Sequence, residues 1–534
     1  MKLKEYRGHI RNWKTLCEEL SVDSSLERKE REEAIVLKAY ERFGDDVGSH
    51  LIGMFAFAIE DEETGEIFAC RDPFGTKPFY YYLTEEGKLL CGTYIRPIMA
   101  EKGFVKELNP DMLQLYLTLT YVAGENTFFQ GLKKLMPGHT LRFADGKIEI
   151  RRYFRPVFAP DDTKSLQDFA DEINQTVRHI MTEVKEPDEI AESFLSGGVD
   201  SSYVLAMSDA KTADTIGYDD ERFDESPLAK QTADELGVTL NRLRVTPEDY
   251  FAIVPWVMEN MEQPLADASA IAFALGCRAT AQHTKLCYSG EGSDEFFGGY
   301  NMYRNAERYG DNLKNFYVGN TNIMKEEEKK ELLKYYNENV LPIGLVKDIY
   351  DEYEVRENEE TLPSSSDALK AAQLPRPSVG GGDPLTKMQD VDIRIWLEGD
   401  IYFNVDKMST AAGLEIRMPL TDPRVFAIAS RLPAEFKINE EQNKVAFRTA
   451  AKEVIPEEVA FRKKLGFIVP IRHWMADANY NQDVYEKLHG KTAEQFFHME
   501  VLDEIWKEYI GGNSDLWRKI WTIYTFLVWY DIYF

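Results

Sequence analysis

The sequence predicts two domains of different class: an α+β layered domain over residues 1–157, and an α/β domain with a parallel sheet over residues 165–534 that ends in a helical part. Three observations predict this. Strand-like apolar runs crowd the stretch before residue 157, and strands alternate regularly with helices after residue 165. Between them lies a Pro/Asp-rich break, Pro156-Val-Phe-Ala-Pro-Asp-Asp-Thr-Lys164. A chain of 534 residues also favours more than one core.

In the first domain, Met54-Phe-Ala-Phe-Ala-Ile59, Glu66-Ile-Phe-Ala-Cys-Arg71, Pro78-Phe-Tyr-Tyr-Tyr-Leu83 and Lys88-Leu-Leu-Cys-Gly92 read as strands, with Asp72-Pro-Phe-Gly-Thr-Lys77 as a turn. Helical patterns fill 32–43 and 110–121 and should cover the sheet faces. In the second domain the order is helix 165–183, strand 192–195, helix 201–210, strand 214–218, helix 227–236, strand 239–245, helix 248–262 and strand 285–288. That alternation means parallel strands with helical crossovers. From about residue 300 the chain reads mainly helical, with loops at 362–366 and 375–383. The aromatic end, 520–534, is short for a membrane span, carries Asp531 and reads as a core-packed helix.

A net charge of −29 argues against a nucleic-acid partner and against an anionic membrane surface, both of which need a basic face. The five cysteines, Cys17, Cys70, Cys91, Cys277 and Cys287, form no CxxC pair, which argues against a disulfide framework and a cysteine-built zinc site. The start, Met1-Lys-Leu-Lys-Glu-Tyr6, lacks an apolar signal core, and a cytoplasmic location is expected.

The strongest chemical signal is Ser196-Gly197-Gly198-Val199-Asp200-Ser201-Ser202, between a short strand and a helix. Glycines let the backbone approach phosphate oxygens, the three serine hydroxyls can donate, and a helix N-terminus adds unpaired N–H groups. Asp200 would repel a bare phosphate, so its expected use is to hold Mg²⁺. The string is not the Gly-Lys-Ser/Thr loop of kinases. It resembles the pyrophosphate loop of the ATP-pyrophosphatase superfamily, of adenine nucleotide alpha hydrolase-like fold, which implies cleavage of ATP between the α and β phosphates.

A second motif, Ser289-Gly-Glu-Gly-Ser-Asp-Glu-Phe-Phe-Gly-Gly-Tyr300, narrows the reading. With Val405-Asp-Lys-Met-Ser409, Leu414-Glu-Ile-Arg-Met-Pro-Leu420 and Asp422, Lys444-Val-Ala-Phe-Arg448, and Lys464-Leu-Gly-Phe-Ile-Val-Pro470, it resembles the synthetase domain of asparagine synthetase in order and spacing. The resemblance implies that Leu195 and Ile216 flank ATP beside the phosphate loop, and that Ser289 and Gly290 contact it. It implies that Asp200 and Asp294 hold Mg²⁺, that Glu291 serves formation of the aspartyl-adenylate, and that Lys444 offsets charge at the α-phosphate. Arg417 and Asp406 read as structural ion-pair partners. One departure is Gln263 in Gln263-Pro-Leu-Ala-Asp-Ala-Ser269, where the family commonly has an acid.

Residues 5–157 resemble the glutaminase domain of the same family, of the Ntn-type layered sheet, through Tyr6-Arg-Gly-His-Ile-Arg-Asn12, Gly53-Met-Phe-Ala-Phe-Ala58, Arg71-Asp-Pro-Phe-Gly-Thr-Lys-Pro-Phe-Tyr-Tyr81 and Leu135-Met-Pro-Gly-His139. That domain normally begins with a catalytic cysteine. Here the chain starts Met1-Lys2, and Cys17 falls inside a helical stretch. The glutamine-binding positions correspond to Arg7, Gly8 and His9, where the family has Asn-Gly-Glu, and to Glu32, which sits in a charge run that reads as a solvated helix face. The family's opening strands, which precede the Tyr6 motif, are expected to be missing, exposing apolar surface. The expected function is therefore an asparagine synthetase-like ligase using ATP, Mg²⁺, aspartate and free ammonia, with no glutaminase activity; a homodimer is admitted but not specified. Two rival readings fit the same residues: an amide-forming enzyme of the β-lactam synthetase or lasso-peptide cyclase kind, and a non-catalytic paralogue acting as a binding partner.

Overall fold

A computed structural model describes residues 1–186, 188–309, 317–319, 321–356, 383–463 and 466–534. The expected loop at 362–366 lies outside the described residues, as do all of 375–383 but Asp383, and Lys464 and Leu465 of the last motif.

The first domain is built on a five-stranded antiparallel sheet of order β1-β2-β3-β7-β8: β1 (Lys2–Ile10), β2 (Gly53–Glu60), β3 (Ile67–Arg71), β7 (His139–Ala144) and β8 (Lys147–Arg152). Strand alternation sorts β2 cleanly. Phe55, Phe57 and Ile59 face helices Trp13–Leu20 and Arg28–Phe43 and pack with Leu16, Ile35 and Val36. Ala56 and Ala58 face the other way, and their small size lets a second sheet approach. That sheet is β4 (Tyr80–Leu83), β5 (Leu89–Gly92) and β6 (Lys133–Lys134), in the order β5-β4-β6. So one face of the main sheet is covered by helices as expected and the other by strands. The Tyr6 motif itself forms the edge strand β1, and β7 and β8 form a hairpin that the strand patterns had not shown.

The second domain carries an all-parallel sheet of order β11-β10-β9-β12-β13: β9 (Ala191–Phe194), β10 (Thr212–Gly217), β11 (Thr239–Arg244), β12 (Leu286–Tyr288) and β13 (Glu415–Arg417). Helices Leu166–Met181, Val199–Met207, Ser226–Leu236 and Pro247–Met261 fall where the periodicity puts them. Ser165 caps the first in a capping box with Asp168, and Thr246 caps the last with Asp249. Chain order reverses at β9 and β12, the central neighbours. Their carboxyl ends therefore open a crevice between two loops, the place where such sheets bind ligands.

The domains meet through cations of the first and carboxylates of the second. Arg7 and Lys77 both donate to Asp406 (2.9 and 2.8 Å), Arg11 donates to Asp422 (2.9 Å), and Arg71 and Lys134 share Glu398. Phe74 adds apolar contact with Phe296 and Phe426. The last helix, Trp517–Tyr533, is buried along most of its length, and Trp529 packs on Phe128 and Phe129. Among the described residues no helix is long and apolar enough to cross a membrane.

Candidate active site

The strand β9 ends at Phe194, and the chain turns through Gly197 at φ +79° into helix Val199–Met207. A Cβ at Gly197 would lie 2.8 Å from the backbone of Leu228 and Ala229, so only glycine lets the loop sit against helix Ser226–Leu236. Ser201 Oγ accepts from the Ser196 N–H at 3.1 Å, and Ser196 Oγ accepts from the Gly198 N–H at 3.2 Å, which pre-forms a concave turn. From outside, Arg462 donates to the Gly197 carbonyl at 2.7 Å. Arg448 sets the position of Arg462 by donating to the Arg462 and Ala460 carbonyls.

The second loop follows β12. Gly290 packs directly on the first: its added Cβ would stand 2.8 Å from the Asp200 carbonyl carbon and 2.9 Å from the Ser201 N. Ser289 Oγ donates to Glu291 at 3.2 Å. Gly292, at φ +89°, starts the short helix Ser293–Phe297, which presents Ser293 and Asp294.

Lys444 ties the loops together. It is 2% exposed, in a left-handed conformation (φ +56°) ahead of helix Val445–Ala451. Such backbone strain in a non-glycine residue concentrates at functional sites. Its ammonium donates to Asp200 Oδ1 (2.7 Å) and Ser293 Oγ (2.7 Å) and lies 2.8 Å from Asp294 Oδ1. Ser293 Oγ also donates to Asp200 at 2.5 Å. Gly299 makes room for this: a Cβ there would meet Asp294 Oδ1 at 1.8 Å and Lys444 Cε at 2.2 Å. Next door, Glu295 accepts from Tyr300 at 2.6 Å, and burial, then the Asp294 charge, push its carboxyl up from the ordinary value. Two carboxylates share one ammonium, leaving a net negative charge built from oxygen donors, a set that fits Mg²⁺.

Several sequence expectations change here. Ser202 is fully buried, so its hydroxyl is not on the open rim with Ser196 and Ser201. Leu195 is 1% exposed, its side chain in a small core with Leu205, Ala213 and Ala229. Ile216 is half-buried beside Gly276, whose Cβ would crowd it at 2.9 Å. Glu32 is not on a solvated face: it is 1% exposed and accepts from the Tyr6 hydroxyl (2.9 Å) and the Ile10 N–H (3.1 Å), with His9 Nδ1 at 3.0 Å. Arg7 turns to Asp406 and to Thr410 Oγ1 (2.7 Å), so Arg7, Gly8 and His9 line an interdomain cavity of about 390 Å³ with Lys77 and Arg417. Cys17 lies within helix Trp13–Leu20, and Arg417 pairs with Glu189 and Glu415. Gln263 is 1% exposed and accepts from the Phe128 N–H at 3.0 Å, a link between domains. Ser293, Gly299 and Arg462 had no separate signal: the first two sat inside a motif read as a whole for tight turning and carboxylates, and Arg462 acts through a backbone carbonyl.

A switch-point crevice with a glycine–serine loop, joined to a layered α+β domain, fits one class: a two-domain ATP-dependent carbon–nitrogen ligase. The asparagine synthase family model matches residues 169–531, and the glutamine amidotransferase domain model matches 4–154. The chain belongs to the asparagine synthase family. It is 31% identical to asparagine synthetase [glutamine-hydrolyzing] 1 of Bacillus subtilis, over 99% of this chain and 85% of that protein. It is 30% identical to a putative asparagine synthetase [glutamine-hydrolyzing] of Mycobacterium bovis, over 99% and 84%. It is also 30% identical to the amidase chry2 of Gibberella zeae, over 51% of this chain and 43% of that protein.

The loop-on-loop contact gives a direct prediction. Gly290→Ala must push the 289–294 loop away from Asp200, and misplacement of that order costs about 10²-fold in rate. Pyrophosphate release should fall by that factor while circular dichroism stays unchanged; an active Gly290→Ala enzyme would contradict the packing argument.

Proposed function

We propose that this protein forms asparagine from aspartate, ATP and ammonia through an aspartyl-adenylate, releasing AMP and pyrophosphate, in the cytoplasm. The observation that carries the reading is the buried Lys444 ammonium between Asp200 and Asp294, at the mouth of the phosphate loop. A side-chain carboxylate oxygen of aspartate attacks the α-phosphorus, and the bond from that phosphorus to the bridging oxygen breaks. Two anions meet in this step, and Lys444 offsets the charge that develops. The N–H groups at the start of helix Val199–Met207, with Ser196 and Ser201, receive the departing pyrophosphate. Asp200 and Asp294 would hold Mg²⁺, which when bound neutralises the phosphates. Ammonia then attacks the acyl carbon, the bond to AMP breaks, and Glu291 accepts the proton. Ser289 orients that carboxylate.

Free ammonia is proposed as the nitrogen source because the residues matching a glutamine pocket are engaged in other contacts. Arg7 is held by Asp406 and Thr410 of the other domain, and His9 contacts Glu32 and the Glu183 carbonyl. The test measures pyrophosphate and glutamate together, from ATP, Mg²⁺ and aspartate. With ammonia, aspartate-dependent pyrophosphate should appear. With glutamine in its place, neither extra pyrophosphate nor glutamate should. Glutamate release matching pyrophosphate release would overturn the ammonia assignment.

A further inference from the structure

Away from the phosphate loop, a second group of chemically active side chains lies on the sheet face covered by helix Ala268–Thr280. Glu192 on β9 and Asp214 on β10 point to the same face, because Ser193 pairs with Ala213 and Phe194 with Asp214 in the parallel register. The helix comes close to that face: Phe273 packs on Phe194, and Gly276 sits against Ile216. The chain leaving the helix then brings in His283.

The three side chains converge. One ligand atom from each of Glu192, Asp214 and His283 lies within 4.8 Å of the others. His283 Nδ1 is 3.0 Å from Glu192 Oε2, and its Nε2 is 3.6 Å from Asp214 Oδ1. Both carboxylates are 8% exposed. Asn241 donates to Asp214 Oδ1 at 3.2 Å and His283 Nδ1 faces both Glu192 oxygens, at 3.1 Å from Oε1, but Asp214 Oδ2 is buried and makes no hydrogen bond among the described residues. Burying two carboxylates side by side with one acceptor position left unfilled is costly unless a cation joins them. A cavity of about 240 Å³ opens beside the group, lined by Asn241, Thr215 and Gln282 as well as Asp214 and His283, which gives an ion a way in and leaves room for a water.

We propose that Glu192, Asp214 and His283 form a binding site for a zinc-type divalent transition ion, separate from the Mg²⁺ expected at the phosphates. One imidazole nitrogen and two carboxylate oxygens are a borderline donor set suited to zinc, whereas Mg²⁺ keeps to oxygen. Three protein ligands leave a position for water. Glu192 stands four residues before Ser196, about 13 Å along an extended strand, so the ion is outside the reacting centre. Its role is to clip β9 and β10 to the segment after helix Ala268–Thr280, steadying the strand that carries the phosphate loop.

The test uses the full chain, stripped with chelator and then equilibrated with zinc or cobalt. The expected result is one bound equivalent that raises the melting temperature, with a visible absorption band in the cobalt form. Asp200→Asn should keep this equivalent, whereas His283→Gln, a change at a partly exposed side chain, should lose both the metal and the thermal shift. Glu192→Gln serves as a second variant, with circular dichroism checking its fold. Absence of bound metal, or binding that persists unchanged in His283→Gln, overturns the proposal and makes His283 a charge partner lying between two carboxylates.

Discussion

Replacing Lys444 by methionine should lower aspartate-dependent pyrophosphate release by about 10³-fold, the scale of removing a preorganised charge from a developing anion. The side chain keeps its length and loses only its charge and donors. Asp200 and Asp294 would then face each other with no ammonium between them, so the site would repel both substrate anions as well. Lys444→Arg should not restore activity. The Lys444 Cε lies where a Gly299 Cβ would reach within 2.2 Å, and a planar guanidinium needs more room than that gap allows. Single-turnover measurement of AMP formation checks this; a Lys444→Met enzyme within tenfold of the parent would remove Lys444 from the chemistry.

The largest effect on stability is expected at Glu398, at the domain interface. It lies in the stretch Asp392–Tyr402 and accepts from Arg71 at 2.9 Å and from Lys134 at 2.9 and 3.2 Å, all three being nearly fully buried. Burial opposes the charge on each group. It wins at Lys134, whose pKa is pulled down, and loses at Glu398, where Lys134 and Arg71 together hold the carboxyl below its ordinary value. Glu398→Ala would leave two buried cations without a carboxylate, a change that costs about 3–5 kcal/mol. Chemical denaturation should show that loss, and an effect below about 1 kcal/mol would mean that water reaches the cluster. The sign with pH follows from the lowered value. The stabilisation from Glu398 is present above the unfolded carboxylate pKa of about 4.3 and is lost as pH falls through the folded value beneath it.

The sequence made some parts of this arrangement legible because they are local. The phosphate loop is contiguous, and strand-helix alternation announces the parallel sheet around it. The hairpin of β7 and β8 was not read from the sequence, although Asp145-Gly146 stands at its turn, with φ of +50° and +72°, and Leu141-Arg-Phe143 and Ile148-Glu-Ile150 alternate on either side; its strands are short and rich in charge. β13 escaped because its three residues, Glu415–Arg417, are too short for an alternation and sit inside a string read only as a motif. Other features depend on distance in sequence. Lys444 meets Asp200 across 244 residues, and Arg71 meets Glu398 across 327. Only the motif order suggested the first, and no pattern suggested the second. Glu32 illustrates the limit of charge runs: Glu30 beside it is exposed, Arg28 reaches across to Glu415, and Glu32 itself is turned inward by Tyr6, His9 and the Ile10 amide.

The central claim is that an aspartate carboxylate attacks the α-phosphorus of ATP. The most direct measurement supplies aspartate labelled with heavy oxygen in its side-chain carboxylate, with ATP, Mg²⁺ and ammonia, and follows the label by mass spectrometry. AMP should carry one labelled oxygen, matched by asparagine that has lost one. Unlabelled AMP, or ADP as the nucleotide product, would contradict it.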